Sequence, residues 1–383
     1  MNYVLPVLAT VTLLACLIHA IRMFLGNRRL VRLADVEPAE PPLPRVSVVV
    51  AARNEERHIE AGIRSLLQLD YDNLEIMVVN DRSEDRTGEI LDQIAEDDSA
   101  LRVEHLTELP DGWLGKNHAL YFGALRASGD FLLFTDADVV MHPSALRRAV
   151  GYATREEIDH LPMLFRVTMP NWLLECFTLV FFYYFWAFVR PWKVKDPQSG
   201  AHVGAGGFNL IRADVYEKIG TYQAIALRPD DDIKLGKIVK KHGFRQELLM
   251  ATEHVRVPGY PSLRDAVNGL EKNLFSGVDY RIGITVLSSL IALAFHVFPF
   301  VAVFVTTGVT RWLYLGVVAV LLLSCCDMAR IARIRISCSL GFPLGVLMFV
   351  FVQWRTMLVN LYLGGIRWRG TFYSLAELKT NKV

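Results

Sequence analysis

Three stretches of this sequence gather charged residues at spacings that could do chemistry. Asp136 and Asp138 directly follow the apolar run Phe131–Phe134. Asp230, Asp231 and Asp232 stand together ahead of Ile233–Val239, and Arg53, Glu55 and Asp81 each follow a short β-branched run. A D-x-D pair arises by chance in a chain of this length, and a solvated turn at a strand end is its plain reading. Its placement argues for more. Two carboxylates at the end of a buried strand are costly unless something satisfies them, and a divalent cation bridging to a diphosphate is a natural partner. Magnesium or manganese, held by few protein carboxylates and completed by phosphate oxygens, suits this arrangement. For three aspartates before a helix, capping against the helix dipole is the plain reading.

Such residues need a frame. Val46–Ala51 is a compact β-branched run entered from the proline-rich Pro38–Pro44, and it stops at Arg53-Asn54-Glu55-Glu56. Ile59, Ile63, Leu66 and Leu67 recur at helical spacing, and Leu74–Val79 is a second strand stopping at Asn80-Asp81. Ile90, Leu91 and Ile94 mark another helix, Leu101–Val103 a short strand and Phe131–Phe134 a further one. Strand and helix in alternation predict an α/β fold: a parallel sheet with helices on both faces and ligands beyond the carboxyl ends of its strands. The polar residues named above collect on that edge.

The chain as a whole is too apolar for an average soluble protein, at 52% hydrophobic against 21% charged. Met1–Ile21 carries no charge, Gly283–Cys326 only Arg311 and Ile336–Ile366 only Arg355. Tyr3–Phe24 is long enough to cross a bilayer and reads as an uncleaved anchor. Arg22, Arg28, Arg29 and Arg32 follow it, which predicts a cell (inner) membrane protein with its polar domain in the cytoplasm. The expected division is an anchor over 1–25, a basic, proline-rich linker over 26–44, an α/β domain over 45–280, a membrane region over 281–366 and a polar tail over 367–383. Pro343, Gly345, Gln353 and Arg355 interrupt the last apolar stretch, so a re-entrant or paired segment is expected to bring the tail back inside. A net charge of +1 argues against a nucleic-acid partner. The five cysteines read as packing residues, and His118, His202 and His254 lack metal-ligand spacing.

At this point the sequence resembles the family 2 glycosyltransferases. The matching motifs are Val48-Val49-Val50-Ala51-Ala52-Arg53-Asn54-Glu55-Glu56, Val79-Asn80-Asp81-Arg82-Ser83-Glu84-Asp85, Gly112-Trp113-Leu114-Gly115-Lys116-Asn117-His118-Ala119-Leu120, Thr135-Asp136-Ala137-Asp138, Gly206-Gly207-Phe208-Asn209-Leu210-Ile211-Arg212 and Asp230-Asp231-Asp232-Ile233-Lys234-Leu235. Six motifs in order are far more specific than any one. The resemblance implies a Rossmann-like GT-A domain and inverting transfer of a sugar from a nucleotide donor. It implies that Asp81 binds uracil or ribose, that Glu55 and the backbone at Ala51 to Arg53 border the nucleoside, and that Lys116 faces donor oxygens. Asp138, with Asp136, would position Mg2+ or Mn2+, and Asp232 would be the base, with Asp231 or Asp230 as alternatives. Gly206 and Gly207 fit the acceptor half.

The acceptor is read from aromatics. Phe177, Phe181, Phe182, Tyr183, Tyr184, Phe185, Trp186 and Phe188, flanked by Trp172 and Trp192, predict a segment over 172–192 lying at headgroup level beside the active site, with Trp186 on the acceptor side. The Q-x-x-R-W motif of the family's processive branch is absent from the region of Glu271 to Phe275. That region, including Lys272 as an acceptor-side residue, and Arg367-Trp368-Arg369-Gly370 look like single-transfer relatives acting on ceramide, carotenoid acids or hopanoid-type lipids. The expected partners are a UDP-hexose, a membrane lipid and the bilayer. The alternatives are a processive or polyprenyl-phosphate transferase and, from another class, a lipid-binding or transport protein with a dead nucleotide domain.

Overall fold

The computed structural model describes residues 4–381 and 383. In chain order its elements begin with helix α1 (Val4–Asn27), strand β1 (Val46–Ala52), α2 (Ile59–Leu67), β2 (Leu74–Asp81), α3 (Thr87–Asp97) and β3 (Leu101–Leu106). They continue with α4 (Gly115–Ala124), β4 (Phe131–Asp136), β5 (Val140–Met141), α5 (Ala145–Arg155), β6 (His160–Leu164), β7 (Arg166–Thr168) and α6 (Trp172–Val189). Then come β8 (Asn209–Arg212), α7 (Ala213–Lys218), α8 (Asp231–Lys241), β9 (Leu249–Met250), β10 (Val255–Pro258) and α9 (Leu263–Leu270). Helices α10 (Ile282–Ala292), α11 (Phe298–Val305), α12 (Gly308–Ile331) and α13 (Phe342–Leu363) follow.

These elements sort into two units. The α/β unit comprises Leu30–Thr168, Arg190–Pro258 and Trp368–Val383, and the helical unit Met1–Arg29, Met169–Val189 and Gly259–Arg367. The sequence reading draws one block over 45–280 with a separate tail. The structure instead packs 169–189 and 259–280 with the apolar helices and packs 368–383 with the sheet. The reason lies in side-chain character: Leu174, Phe177, Ala266, Val267, Leu270 and Val352 share one apolar cluster.

In the α/β unit a seven-stranded sheet runs in the order β3-β2-β1-β4-β8-β6-β9. Strands β1 to β4 are parallel, as expected, while β8 is antiparallel to both β4 and β6, so the sheet is mixed. Burial on both faces explains why the central strands are apolar throughout. Val46, Val48 and Val50 pack with Ile59, Ile63, Leu91, Ala145 and Ala149 on one side. Val49 turns to the other, with Leu120, Leu132, Phe134, Val215 and Leu235. Register then sets the edge: Ala51 lies beside Val79 and Asp136, and Ala52 beside Asn80. The strand ends bearing Arg53, Asp81 and Asp136 therefore come level.

Among the described residues, five helical stretches are long and apolar enough to cross a membrane: Val4–Asn27, Trp172–Lys193, Ile282–Val305, Gly308–Ile331 and Ile336–Leu363. Large apolar side chains such as Leu287, Phe304, Trp312 and Leu323 are exposed on them. Within the helical unit Asn27 accepts the Trp186 indole N–H at 2.8 Å and donates to Asp327 at 3.0 Å, and Arg28 pairs with the same carboxylate. Arg355 is paired with Glu271 at 2.5 Å.

Candidate active site

The loops after β1 and β2 are stitched together by side chains that replace missing backbone partners. Ser83 Oγ accepts the Asn54 N–H at 3.0 Å, Thr87 Oγ1 that of Glu55 at 2.8 Å, and Asp85 that of Glu56 at 3.1 Å. Asn54 Oδ1 accepts the Glu84 N–H in return. This fixes Arg53 and Glu55 relative to Asp81. Asp81 is buried, held bidentately by Arg82 at 2.7 and 3.0 Å, with Arg53 at 3.7 Å. Arg82 reaches it from a left-handed backbone, φ 55°, an unusual conformation for a non-glycine residue. Gly115 opens α4 against this pair: a Cβ there would collide with the Asp81 carboxylate. One turn of backbone thus brings Lys116 to the β4 edge.

Lys116 is the centre of the charge arrangement. Its Nζ lies 2.7 Å from Asp136 Oδ1 and 3.6 Å from Asp231 Oδ2. Burial alone would push its ammonium down, but the carboxylates of Asp136, Asp231 and Asp232 outweigh that and hold it above the usual lysine range. The three aspartates before α8 separate by environment. Asp230 is buried and committed to Arg228, which binds it bidentately at 3.0 Å, and to Lys234 at 3.6 Å. Asp231 is buried toward Lys116 and the Tyr222 hydroxyl, at 3.5 Å. Asp232 stays half-buried; burial, then the neighbouring Asp231, push its carboxyl up to about 7 against the pull of Lys116.

One residue joins the two acidic groups. The Gly206 N–H donates to Asp232 Oδ2 at 2.9 Å, and the Gly206 carbonyl accepts the Asp136 N–H at 3.0 Å. A side chain at Gly206 would meet the Asp136 carboxylate, and one at Gly204 would overlap the Asp232 carbonyl, so the glycines permit the close approach. Gly207 packs on Phe165, and its carbonyl accepts the Thr135 hydroxyl at 2.9 Å.

Among the described residues no group of three His, Cys, Asp or Glu forms a metal cage. Asp136 and Asp138 instead offer two hard carboxylates. Burial, then Asp136 and Glu55, push the Asp138 carboxyl up to about 7. The donor set fits Mg2+ or Mn2+ when a diphosphate supplies the remaining oxygens.

The structure therefore brings Ala51, Arg53, Glu55, Asp81, Lys116, Asp136, Asp138, Gly206, Gly207, Asp231 and Asp232 into the α/β unit. Trp186 and Lys272 lie in the helical unit. Trp186 is fully buried with its N–H bonded to Asn27, so it packs there and presents no free face to an acceptor, contrary to the sequence reading. Arg82 and Tyr373 were missed by that reading. Arg82 stands in the Asn80-Asp81-Arg82 run, whereas nothing local marks Tyr373.

Residues 47–220 match the family model described as Glycosyl transferase family 2. A probable glycosyltransferase, YdaM, of Bacillus subtilis is 29% identical over 201 residues, 50% of this chain and 46% of its own. The beta-monoglucosyldiacylglycerol synthase of Synechocystis is 38% identical over 113 residues, 29% and 23% of the two chains. The chain thus spans less than half the length of these curated relatives. Among solved structures, the mannosyltransferase PcManGT of Pyrobaculum calidifontis, in complex with GDP-Man and Mn2+, aligns over 93% of this chain and 98% of its own. The TM-score is 0.54 and the identity 18%, a likeness of fold. Residues 47–220, most of them in the α/β unit, are thus similar to the glycosyl transferase family 2 domain.

Proposed function

We propose that this protein is a membrane-bound inverting glycosyltransferase that moves one hexose from a UDP-sugar to a hydroxyl or carboxyl of a membrane lipid. The observation that carries the reading is the Gly206 backbone, which fixes the D-x-D edge and Asp232 on one frame. Of the three adjacent aspartates, Asp232 alone keeps solvent access, so it takes the acceptor proton. The acceptor oxygen bonds to the anomeric carbon from the face opposite the diphosphate, the bond to the diphosphate breaks, and the configuration inverts. Lys116 keeps its charge and steadies Asp136 and Asp231. A divalent cation held by Asp136 and Asp138 would stabilise charge on the departing diphosphate as a Lewis acid.

A lipid acceptor is supported by the glucosyldiacylglycerol synthase relative and by the apolar helices. The transport alternative needs polar residues free within the spans, yet Asp327 is bonded to Asn27 and Arg28, and Arg355 to Glu271. Chain order constrains the membrane arrangement further. Leu30–Thr168, Arg190–Pro258 and Trp368–Val383 form one unit and so share one side of the bilayer, the cytoplasmic side by the arginines after α1. Helix α6 alone therefore makes no single crossing, which accords with a headgroup-level segment, and at most two of the three stretches between Gly259 and Arg367 cross.

The test is purified protein with Mn2+ or Mg2+, a panel of UDP- and GDP-sugars, and membrane lipid extract. Metal-dependent diphosphate release, stimulated by lipid and abolished by chelator, with a singly glycosylated lipid by mass spectrometry, is the expected result. Polymeric product would transfer the reading to a processive synthase. Nucleotide binding without release under any donor would overturn it.

A further inference from the structure

We infer that Arg369, on the segment Trp368–Val383, is a donor-binding residue that contacts the diphosphate of the nucleotide sugar. This inference rests on the proposed function and assigns the tail a place in that site. The segment crosses the nucleotide edge of the α/β unit and is held at several points. Arg369 Nη2 pairs with Glu55, and Nη1 donates to the Asn54 carbonyl at 3.4 Å. The Cβ position of Gly370 lies 3.7 Å from Arg53 Nη2. Tyr373 is buried, with its hydroxyl on the Gly115 N–H next to Asp81 and Arg82. Farther along, Asn381 accepts the Leu227 N–H at 3.0 Å and donates to the Ala224 carbonyl at 2.9 Å, and Lys237 donates to the Val383 carbonyl at 2.6 Å. Arg369 and Gly370 both adopt positive φ, 48° and 83°, a turn the chain makes where it meets Glu55.

The distribution of cations singles Arg369 out. Arg82 is spent bidentately on Asp81, and Lys116 is shared between Asp136 and Asp231. Arg53 faces Asp81 and keeps a buried Nε without a hydrogen-bond partner. Arg369 engages two of its five N–H donors, and its side chain remains 42% exposed beside Glu55, which in turn faces Asp136. A dianionic diphosphate laid along the Asp136–Asp138 edge meets a surface of carboxylates. Besides the metal ion, it needs a cation with donors to spare, and the planar guanidinium of Arg369 matches phosphate oxygens in geometry and charge. Arg53 comes close to the same segment, its Nη2 lying 3.7 Å from the Cβ position of Gly370.

The test uses full-length protein in detergent. UDP and GDP binding are measured against uridine and guanosine binding, alongside initial rates over a range of donor concentrations, for Arg369→Ala and Arg369→Lys. The expected result for Arg369→Ala is a roughly 10- to 100-fold rise in nucleoside diphosphate Kd and in donor KM. Nucleoside binding should change less than threefold, and Arg369→Lys should recover part of the loss. Equal loss of nucleoside and diphosphate binding would show that the tail merely supports the pocket and would overturn the inference. Unchanged diphosphate affinity in a protein that turns over its donor would overturn it as well. A wild-type protein that turns over no nucleotide sugar would instead sink the proposed function, so the two failures are told apart.

Discussion

Replacing Gly206 by alanine tests the shared frame of the site with one methyl group. The added Cβ would stand 2.6 Å from Asp136 Oδ2 and 3.4 Å from its Cγ. Ordinary contact begins at 3.4 Å, so the oxygen must recede by most of an ångström. Asp136 is not free to do so at no cost, because Lys116 holds its other oxygen at 2.7 Å and Lys116 also faces Asp231. The strain therefore reaches both the D-x-D edge and the proposed base, Asp232, which the Gly206 N–H holds. Gly206 lies outside the positive-φ region, so alanine meets no backbone penalty there. Overpacking of this kind costs on the order of 1–2 kcal/mol of stability. Misplacement of a catalytic group by about 1 Å costs about 100-fold in rate. We expect Gly206→Ala to lower kcat roughly 30- to 100-fold with a melting temperature only a few degrees below wild type. The assay is diphosphate release at saturating donor, paired with thermal melting. A kcat within twofold of wild type in a folded protein would refute the frame. Gly204→Ala provides the contrast: its Cβ would overlap the Asp232 backbone carbonyl, so it should lose fold as well as rate.

Two further predictions follow from charge and from connectivity. Asp232→Asn should fold normally, bind nucleotide and lose about 100- to 10,000-fold in kcat. In the wild type, burial and Asp231 hold Asp232 up to about 7 and a base acts only when deprotonated. The rate should therefore fall about tenfold per pH unit below 7 and level off above it; a rate flat across that range would exclude Asp232 as the base. Single cysteines placed at the exposed Glu60 and Thr380, with native cysteines replaced, should react with an impermeant thiol reagent in the same vesicle orientation; labelling in opposite orientations would contradict the shared unit.

The parts of this molecule legible in sequence are those whose cause is local. Val46–Ala52 and Leu74–Asp81 announce themselves because strands buried on both faces are apolar at every position and stop abruptly at polar residues. Asp136 and Asp232 stand out for the same reason, as carboxylates where an apolar run ends or a helix begins. Strand β8 does not, because four residues after a glycine loop carry no period, and its antiparallel direction is set by where the sheet has room. The Gly206 bridge is invisible because backbone atoms make it. Tyr373 meets Gly115, Arg82 and Asp81 from more than 250 positions away, which no local pattern encodes. Trp186 misled through composition: an aromatic-rich run fits a headgroup belt, yet this indole is satisfied by Asn27 inside the helical unit.

The three-segment construction of the α/β unit has a consequence for biosynthesis. Strand β8 and helix α8 follow α6 in the chain, and Arg369 and Tyr373 follow every long apolar helix. On the ribosome the nucleotide edge can form early, the half bearing Asp232 joins it only after α6 has emerged, and the tail arrives once all five apolar stretches have been made. A chain stalled before α13 would therefore carry a complete seven-stranded sheet in which Glu55 and Gly115 still lack their contacts with Arg369 and Tyr373. Insertion and completion of the site are thus ordered by translation itself.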